Sequence, residues 1–344
     1  MSWNLYPINE FRNFQDSWQQ LNHTASGSPL LSPDFILPLL EVFGRGDEVL
    51  ACYQEKDELK VMTIICQKNQ WIWSTFQPSQ APLGMWIQKV DVDLPSILPE
   101  LIQQLAQYPL VFSITQIDPD LVLRPETGKK LVTLDYIQTA KITLQGDFEE
   151  YWASRGKNLR QNMKKQRNKL AKDGVVTRLE LCVLAADAQQ AIADYGKLES
   201  SGWKLDQGTA IQPSNNQGKF YQKVLENFCH RGKGRVYKYW FNDQVVAVDL
   251  CIEGEDSLII LKTTYDEGWG RLFSPAFLMR EEEFKQIFDE KKIKNIEFYG
   301  RVMDWHTKWS NEVRTLYHVN SYRWPALRIF HRVIRRLRKT CVWM

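Results

Sequence analysis

Residues Leu258–Glu283, LIILKTTYDEGWGRLFSPAFLMREEE, hold a strand, a glycine-bearing loop and a helix start in one run. Apolar and β-branched residues carry a strand out through Thr264, and Gly268 and Gly270 free the loop. Ser274-Pro275 then opens a helix, with proline in the first turn where its missing N–H costs nothing. Such a start presents unpaired amides and the positive end of the helix dipole, a natural seat for phosphate. Ala276 permits close backbone approach, and Arg271 offers a fixed cation to a pyrophosphate.

Outward from this stretch the same grammar of short strands and helices recurs. Upstream lie strands at Arg235–Phe241 and Val245–Ile252 and helices at Ala186–Ser200 and Gly218–Arg231. Downstream come a helix to Glu290, a strand at Ile296–Gly300 and a closing strand near Thr315–Tyr322. A long helix is predicted at Phe148–Lys172, after a strand at Ala140–Leu144. The first part of the chain repeats the theme, with Ser32-Pro33 opening a helix through Phe43 and a meander at Glu48–Gln54, Leu59–Gln67 and Gln70–Phe76. At 344 residues, two α+β domains with mixed, mostly antiparallel sheets flanked by helices are expected. The divisions fall at 1–145, 146–323 and a basic amphipathic helix over 324–344.

The formal charge of +3 hides an asymmetry. Residues 1–145 hold 10 basic and 16 acidic side chains, whereas the remainder hold 34 basic and 25 acidic. An anionic partner should therefore meet the second half. Between Arg155 and Lys172 eight basic residues stand without one acidic residue, a helix suited to RNA, to an anionic membrane, or to plain solvation. The tail from Trp324 sets Leu327, Phe330, Ile334 and Leu337 on one face among arginines, which fits an anionic leaflet or packing on its own sheet. The N-terminus lacks a charged leader with an apolar core, and no run approaches the roughly 20 apolar residues of a membrane span, so a cytoplasmic protein is expected. Six scattered cysteines without a CxxC pair and five histidines without HxxxH or HxH spacing predict neither a disulfide framework nor a metal site.

Two further segments suit ligand chemistry. The loop SGWKLDQGTAI, residues 201–211, sets Trp203 beside Lys204 between two helices, as a ligand-binding loop or a lid on the core. Glu297 alternates with Ile296 and Phe298 in the strand at 296–300, and Tyr299, Asp304, His306 and Lys308 of IEFYGRVMDWHTKW crowd just past it, where catalytic side chains gather on α/β sheets. No nucleophile, base and acid triad can be assigned.

The order and spacing of the basic helix RNLRQNMKKQRNKL, of ESSGWKLDQGTAI with FYQKVLENF, of LKTTYDEGWGRLFSPAFLM and of FYGRVMDWHTKW resemble the GNAT acyltransferases of the CelD type, relatives of the FemAB aminoacyltransferases. The resemblance covers Asp147–Lys339 and reaches the first half through LLSPDFILPLLEVFG. It implies two tandem GNAT-like domains, the first degenerate, with acetyl-coenzyme A or another acyl-coenzyme A along Lys262, Thr264 and Arg271 and at Ser274, Pro275, Ala276 and Phe277. The superfamily's pyrophosphate loop aligns with YDEGWG, Tyr265 standing where Gln or Arg is usual, and Ala276 replaces the glycine of Ser-Pro-Gly. The implied reaction is acyl transfer to the amine of a small molecule, amino sugar, envelope precursor or peptide. Tyr299 would act as acid toward the thiolate and Glu297 or Asp304 as base, with Trp203, Lys204 and Lys308 shaping the acceptor side. Two alternatives stand beside it: aminoacyl transfer from charged tRNA, and a non-catalytic module docked at the inner face of an anionic membrane through 324–344.

Overall fold

The computed structural model describes residues 2–200, 211–270 and 272–329. Two compact units form, one from the chain up to Gln138 together with the segment from Arg314, the other from Thr139–Val313.

The first unit contains β1 (Ser2–Pro7), α1 (Gln15–Ala25), α2 (Pro33–Phe43), β2 (Val49–Glu55), β3 (Glu58–Asn69), β4 (Ile72–Thr75), β5 (Trp86–Gln88), α3 (Leu94–Gln104) and β6 (Val111–Ile117). Its strands order as β1-β2-β3-β4-β6, with β5 beside β3, antiparallel except for β4 beside β6. The chain's last strand, Glu312–Tyr322, pairs with β6, Tyr317 opposite Ile117 and Tyr322 opposite Val111. This pairing is why the first unit is discontinuous. Val61–Cys66 of β3 is apolar apart from Thr63 and buried throughout, as a strand covered on both faces must be. Trp3, Trp86, Phe112 and Tyr317 join Leu98 and Leu101 of α3 in one cluster, so Trp3 and Trp86 serve packing.

β7 (Leu131–Thr143) leads by sequence into the second unit and starts well before the strand expected at Ala140–Leu144. There follow α4 (Phe148–Ala153), α5 (Lys157–Lys172), β8 (Thr177–Cys182), α6 (Ala188–Ser200), α7 (Asn216–His230), β9 (Gly234–Phe241), β10 (Gln244–Glu253), β11 (Ser257–Tyr265), α8 (Glu267–Gly270), α9 (Pro275–Glu290), β12 (Asn295–Glu297) and α10 (His306–Trp309). The long helix expected at 148–172 is two helices, because Gly156 turns extended (ψ 133°) and starts α5 afresh. The sheet runs β8-β9-β10-β11-β12 and ends on the last residues of β7, antiparallel except for β12 beside β11. α9 packs on β9, β10 and β11, while α6 and α7 pack together and also meet β10. Beyond Tyr322, residues 325–329 are helical, and the rest of the predicted 324–344 helix lies outside the described residues. No helix among the described residues is long and apolar enough to cross a membrane.

Candidate functional site

β11 and β12 are parallel and pair over three positions only, Ser257–Ile259 against Asn295–Glu297. β11 continues to Tyr265, whereas β12 stops and Tyr299 enters the left-handed region at φ 47°. A β-branched or aromatic residue rarely sits there, so the backbone is held by its surroundings. Trp309 is the anchor of this departing segment. Its ring is fully buried against Trp152, Phe277 and Phe284, and its carbonyl accepts from Tyr151 Oη at 2.7 Å and Arg155 Nη1 at 2.8 Å.

Where the two strands part lies a cavity of about 300 Å³. Its walls are Thr263 and Tyr265 of β11, Gly270 and Phe273 of the following loop, Ser274, Pro275, Ala276, Phe277 and Arg280 at the start of α9, and Trp305. The volume is at the small end of ligand pockets, and the wall is aromatic with few polar groups, the usual composition of such sites. The start of α9 is held from α5, since Ser274 N donates to Gln166 Oε1 at 2.7 Å. Phe277 and Leu278 donate to the Ser274 carbonyl, while the Ala276 amide belongs to the first turn, which has no intrahelical acceptors. Lys169 of α5 reaches to 5.4 Å from the Phe273 ring centre, and Lys308 to 5.4 Å from that of Phe277. The loop before α9 is closed on itself. Asp266 Oδ1 accepts from Gly268 N at 2.7 Å and Trp269 N at 3.2 Å, and the Asp266 carbonyl accepts from Gly270 N.

Among the described residues one charged side chain lines the cavity, and it is buried. Arg280 is 2% exposed and donates twice from Nη2, to Asp249 Oδ2 at 2.7 Å and Thr263 Oγ1 at 2.9 Å. Its guanidinium lies 5.0 Å from the Trp305 ring centre and 5.8 Å from that of Phe298. Behind it, burial and the neighbouring Asp249 push the Glu283 carboxyl well above the ordinary carboxylate range. Trp305 in turn stacks on His306 at 3.5 Å, and burial together with the Arg280 charge pushes the His306 pKa down to about 4.

The cavity therefore gathers Ser274, Pro275, Ala276 and Phe277 from the sequence prediction, with Lys308 at the Phe277 ring. Lys262 instead reaches the Tyr221 ring of α7, and in place of Lys262 and Thr264 the alternate residues Thr263 and Tyr265 face the cavity. Glu297 and Tyr299 are half-buried and Asp304 is exposed. None of the three is in the cavity wall, and the residue of that segment that lines it is Trp305. Arg271, Trp203 and Lys204 lie outside the described residues. Sequence reasoning missed Arg280, although its three- and four-residue spacing from Phe277 and Ala276 places it on the same helix face.

Residues 157–307 match the model of the family described as Acetyltransferase (GNAT) domain. Among solved structures, FemX is 8% identical, covers 92% of this chain and 98% of its own, and superposes with a TM-score of 0.58. A conserved protein of unknown function from Bacteroides thetaiotaomicron is 11% identical, with 90% and 97% covered and a TM-score of 0.56. At these identities the likeness is one of fold. A search of curated proteins finds no match.

Proposed function

From the match of residues 157–307 to the GNAT acetyltransferase domain model, we propose that the chain moves an acyl group from acyl-coenzyme A to an amine. The observation that carries this reading is the cavity where β11 and β12 part, with the first turn of α9 at its wall. The described residues suit such a donor. Phe273, Pro275, Phe277 and Trp305 would enclose the pantetheine arm, and the Ala276 amide with Lys169 and Lys308 would hold the phosphates. The amides of Gly268 and Trp269 are committed to Asp266, so phosphate binding falls to α9 rather than to the loop. Bound acyl-coenzyme A would supply an activated thioester. The chain's own task is to align the amine and to exclude water with the aromatic wall, and Tyr299 is the proposed proton donor to the departing thiolate. Glu297, half-buried at the end of β12, is the proposed base in preference to exposed Asp304. An acetyl donor and an amino sugar, envelope precursor or peptide acceptor complete the reading.

The test is thermal protection by acetyl-coenzyme A and longer acyl-coenzyme A species. Ala276→Asp, which puts a carboxylate where phosphate would bind, should abolish the shift while leaving the melting curve of the free protein cooperative. No shift with any acyl-coenzyme A would refute the donor assignment. A second reading, aminoacyl transfer from charged tRNA, draws on α5. Lys157, Lys164, Lys165, Lys169 and Lys172 are exposed there and make no ion pair among the described residues. Co-purifying RNA that salt displaces steeply would favour it.

A further inference from the structure

Arg280 has five N–H donors, and only Nη2 is used among the described residues. Nε is buried and donates to nothing there, and Nη1 makes no hydrogen bond there either. A guanidinium nitrogen withdrawn from water without an acceptor is costly, and native structures pair such groups almost without exception. Behind it, Asp249 meets the guanidinium through Oδ2 alone, at Nη2. The ring faces of Trp305 and Phe298 cover the plane of the guanidinium, and the side chain forms part of the cavity wall.

We propose that Arg280 determines specificity by donating to a carboxylate that the substrate carries into this cavity. The naming of donor and acceptor probes rests on the acyltransferase reading, whereas the anion site itself does not. A carboxylate fits better than a phosphate group. Arg280 already shares its charge with Asp249, so one further negative charge is the most the pair can meet, and aromatic walls admit a planar group on an apolar chain. Against a wall of Phe273, Phe277 and Trp305, a charge-assisted bond is strong enough to decide between substrates that differ in that one group. The carboxylate has two possible sources, the acyl group of the donor or the acceptor amine.

Calorimetry on the full chain with two matched pairs separates these sources. Succinyl-coenzyme A is compared with butyryl-coenzyme A for the donor, and β-alanine with propylamine for the acceptor. At least tenfold tighter binding of the carboxylate member is expected in one pair. Arg280→Gln alone leaves Asp249 buried without its cation, so the variant to use is the double change Arg280→Gln with Asp249→Asn, its fold checked by circular dichroism. That variant should bind both members of the selective pair alike. Equal binding, or none, in both wild-type pairs overturns the proposal, as does a folded double variant that keeps the preference. Free coenzyme A isolates the underlying reading. If it binds while no pair discriminates, the carboxylate site alone is wrong; if it does not bind, acyl-coenzyme A use is wrong and the amine pair still decides the role of Arg280.

Discussion

Acidification from pH 7.5 to 5 should destabilise this protein through one imidazole. His306 is 4% exposed, stacked on Trp305 and edge-on to Phe298, and its Nδ1 accepts the Met303 amide at 2.9 Å. Burial first, and the Arg280 charge second, push its pKa down to about 4 from the ordinary 6.5. The unfolded chain therefore binds this proton through the whole interval between 6.5 and 4, while the folded protein resists it. The stabilisation is present in full above pH 6.5 and is lost as the pH falls toward 4. With an unfolded pKa of about 6.5, the loss at pH 5 is about 2 kcal/mol. A proton on Nδ1 would also break the Met303 bond and set a second cation near Arg280, so the Trp305 wall should loosen in the same window. Urea denaturation of the wild type and of His306→Asn at pH 7.5 and 5.0 isolates the effect from other titrating groups. The wild type should lose about 2 kcal/mol more than the variant across that step. Equal losses, or a His306 imidazole that titrates near 6.5 by NMR in the folded protein, would refute the reasoning.

Arg167→Ala should lower unfolding free energy by roughly 2–3 kcal/mol in urea, because this half-buried guanidinium bonds Glu281, Glu282, Tyr239 Oη and the Leu278 carbonyl and so ties α5 to α9. Gly84→Ala should cost roughly 2 kcal/mol or more, since an added Cβ would press on the Thr115 carbonyl and come within 2.6 Å of Thr75 Oγ1; an unchanged melting temperature would contradict this. Tyr299→Phe should lower kcat by roughly 100-fold with KM little changed, as removal of a proton donor does, and an unaltered kcat would remove Tyr299 from the mechanism.

Much of the second unit was legible because its signals are local. Ser274-Pro275 starts α9 as its chemistry dictates, and the strands at 235–241, 245–252 and 257–264 reappear as β9, β10 and β11. What escaped depended on contacts distant in sequence. A β-bulge sets Leu250 opposite Lys262 but Cys251 opposite Ile260, so β11 carries an extra residue and its alternation changes phase before Lys262. No count of alternate positions through LIILKTTY reveals that shift, and the cavity consequently takes Thr263 and Tyr265. Arg280, followed by three glutamates, reads as the start of a solvated helix face. It is buried only because Asp249, two strands' length away in sequence, supplies its counter-charge. The return of the last strand to β6 likewise rests on pairing that its own residues, Glu312–Tyr322, do not announce.

The same periodicity separates two roles within α5 and makes the competing readings experimentally distinct. Met163, Gln166 and Leu170 recur at three and four residues and are buried, and Arg167 beside them bonds α9. Lys164, Lys165 and Lys172 point away from that seam and make no ion pair among the described residues. Packing thus accounts for Gln166 and Arg167 but leaves those three lysines unexplained by stability. Reversing Lys164 and Lys165 to glutamate should therefore leave the urea midpoint within the small range of surface substitutions, about 0.5 kcal/mol. If acyl-coenzyme A protection survives that reversal while salt-sensitive RNA binding disappears, the cationic face serves a polyanion apart from the cavity chemistry. If neither changes, the lysines are a solvated face, and the cavity beside α9 carries the function alone.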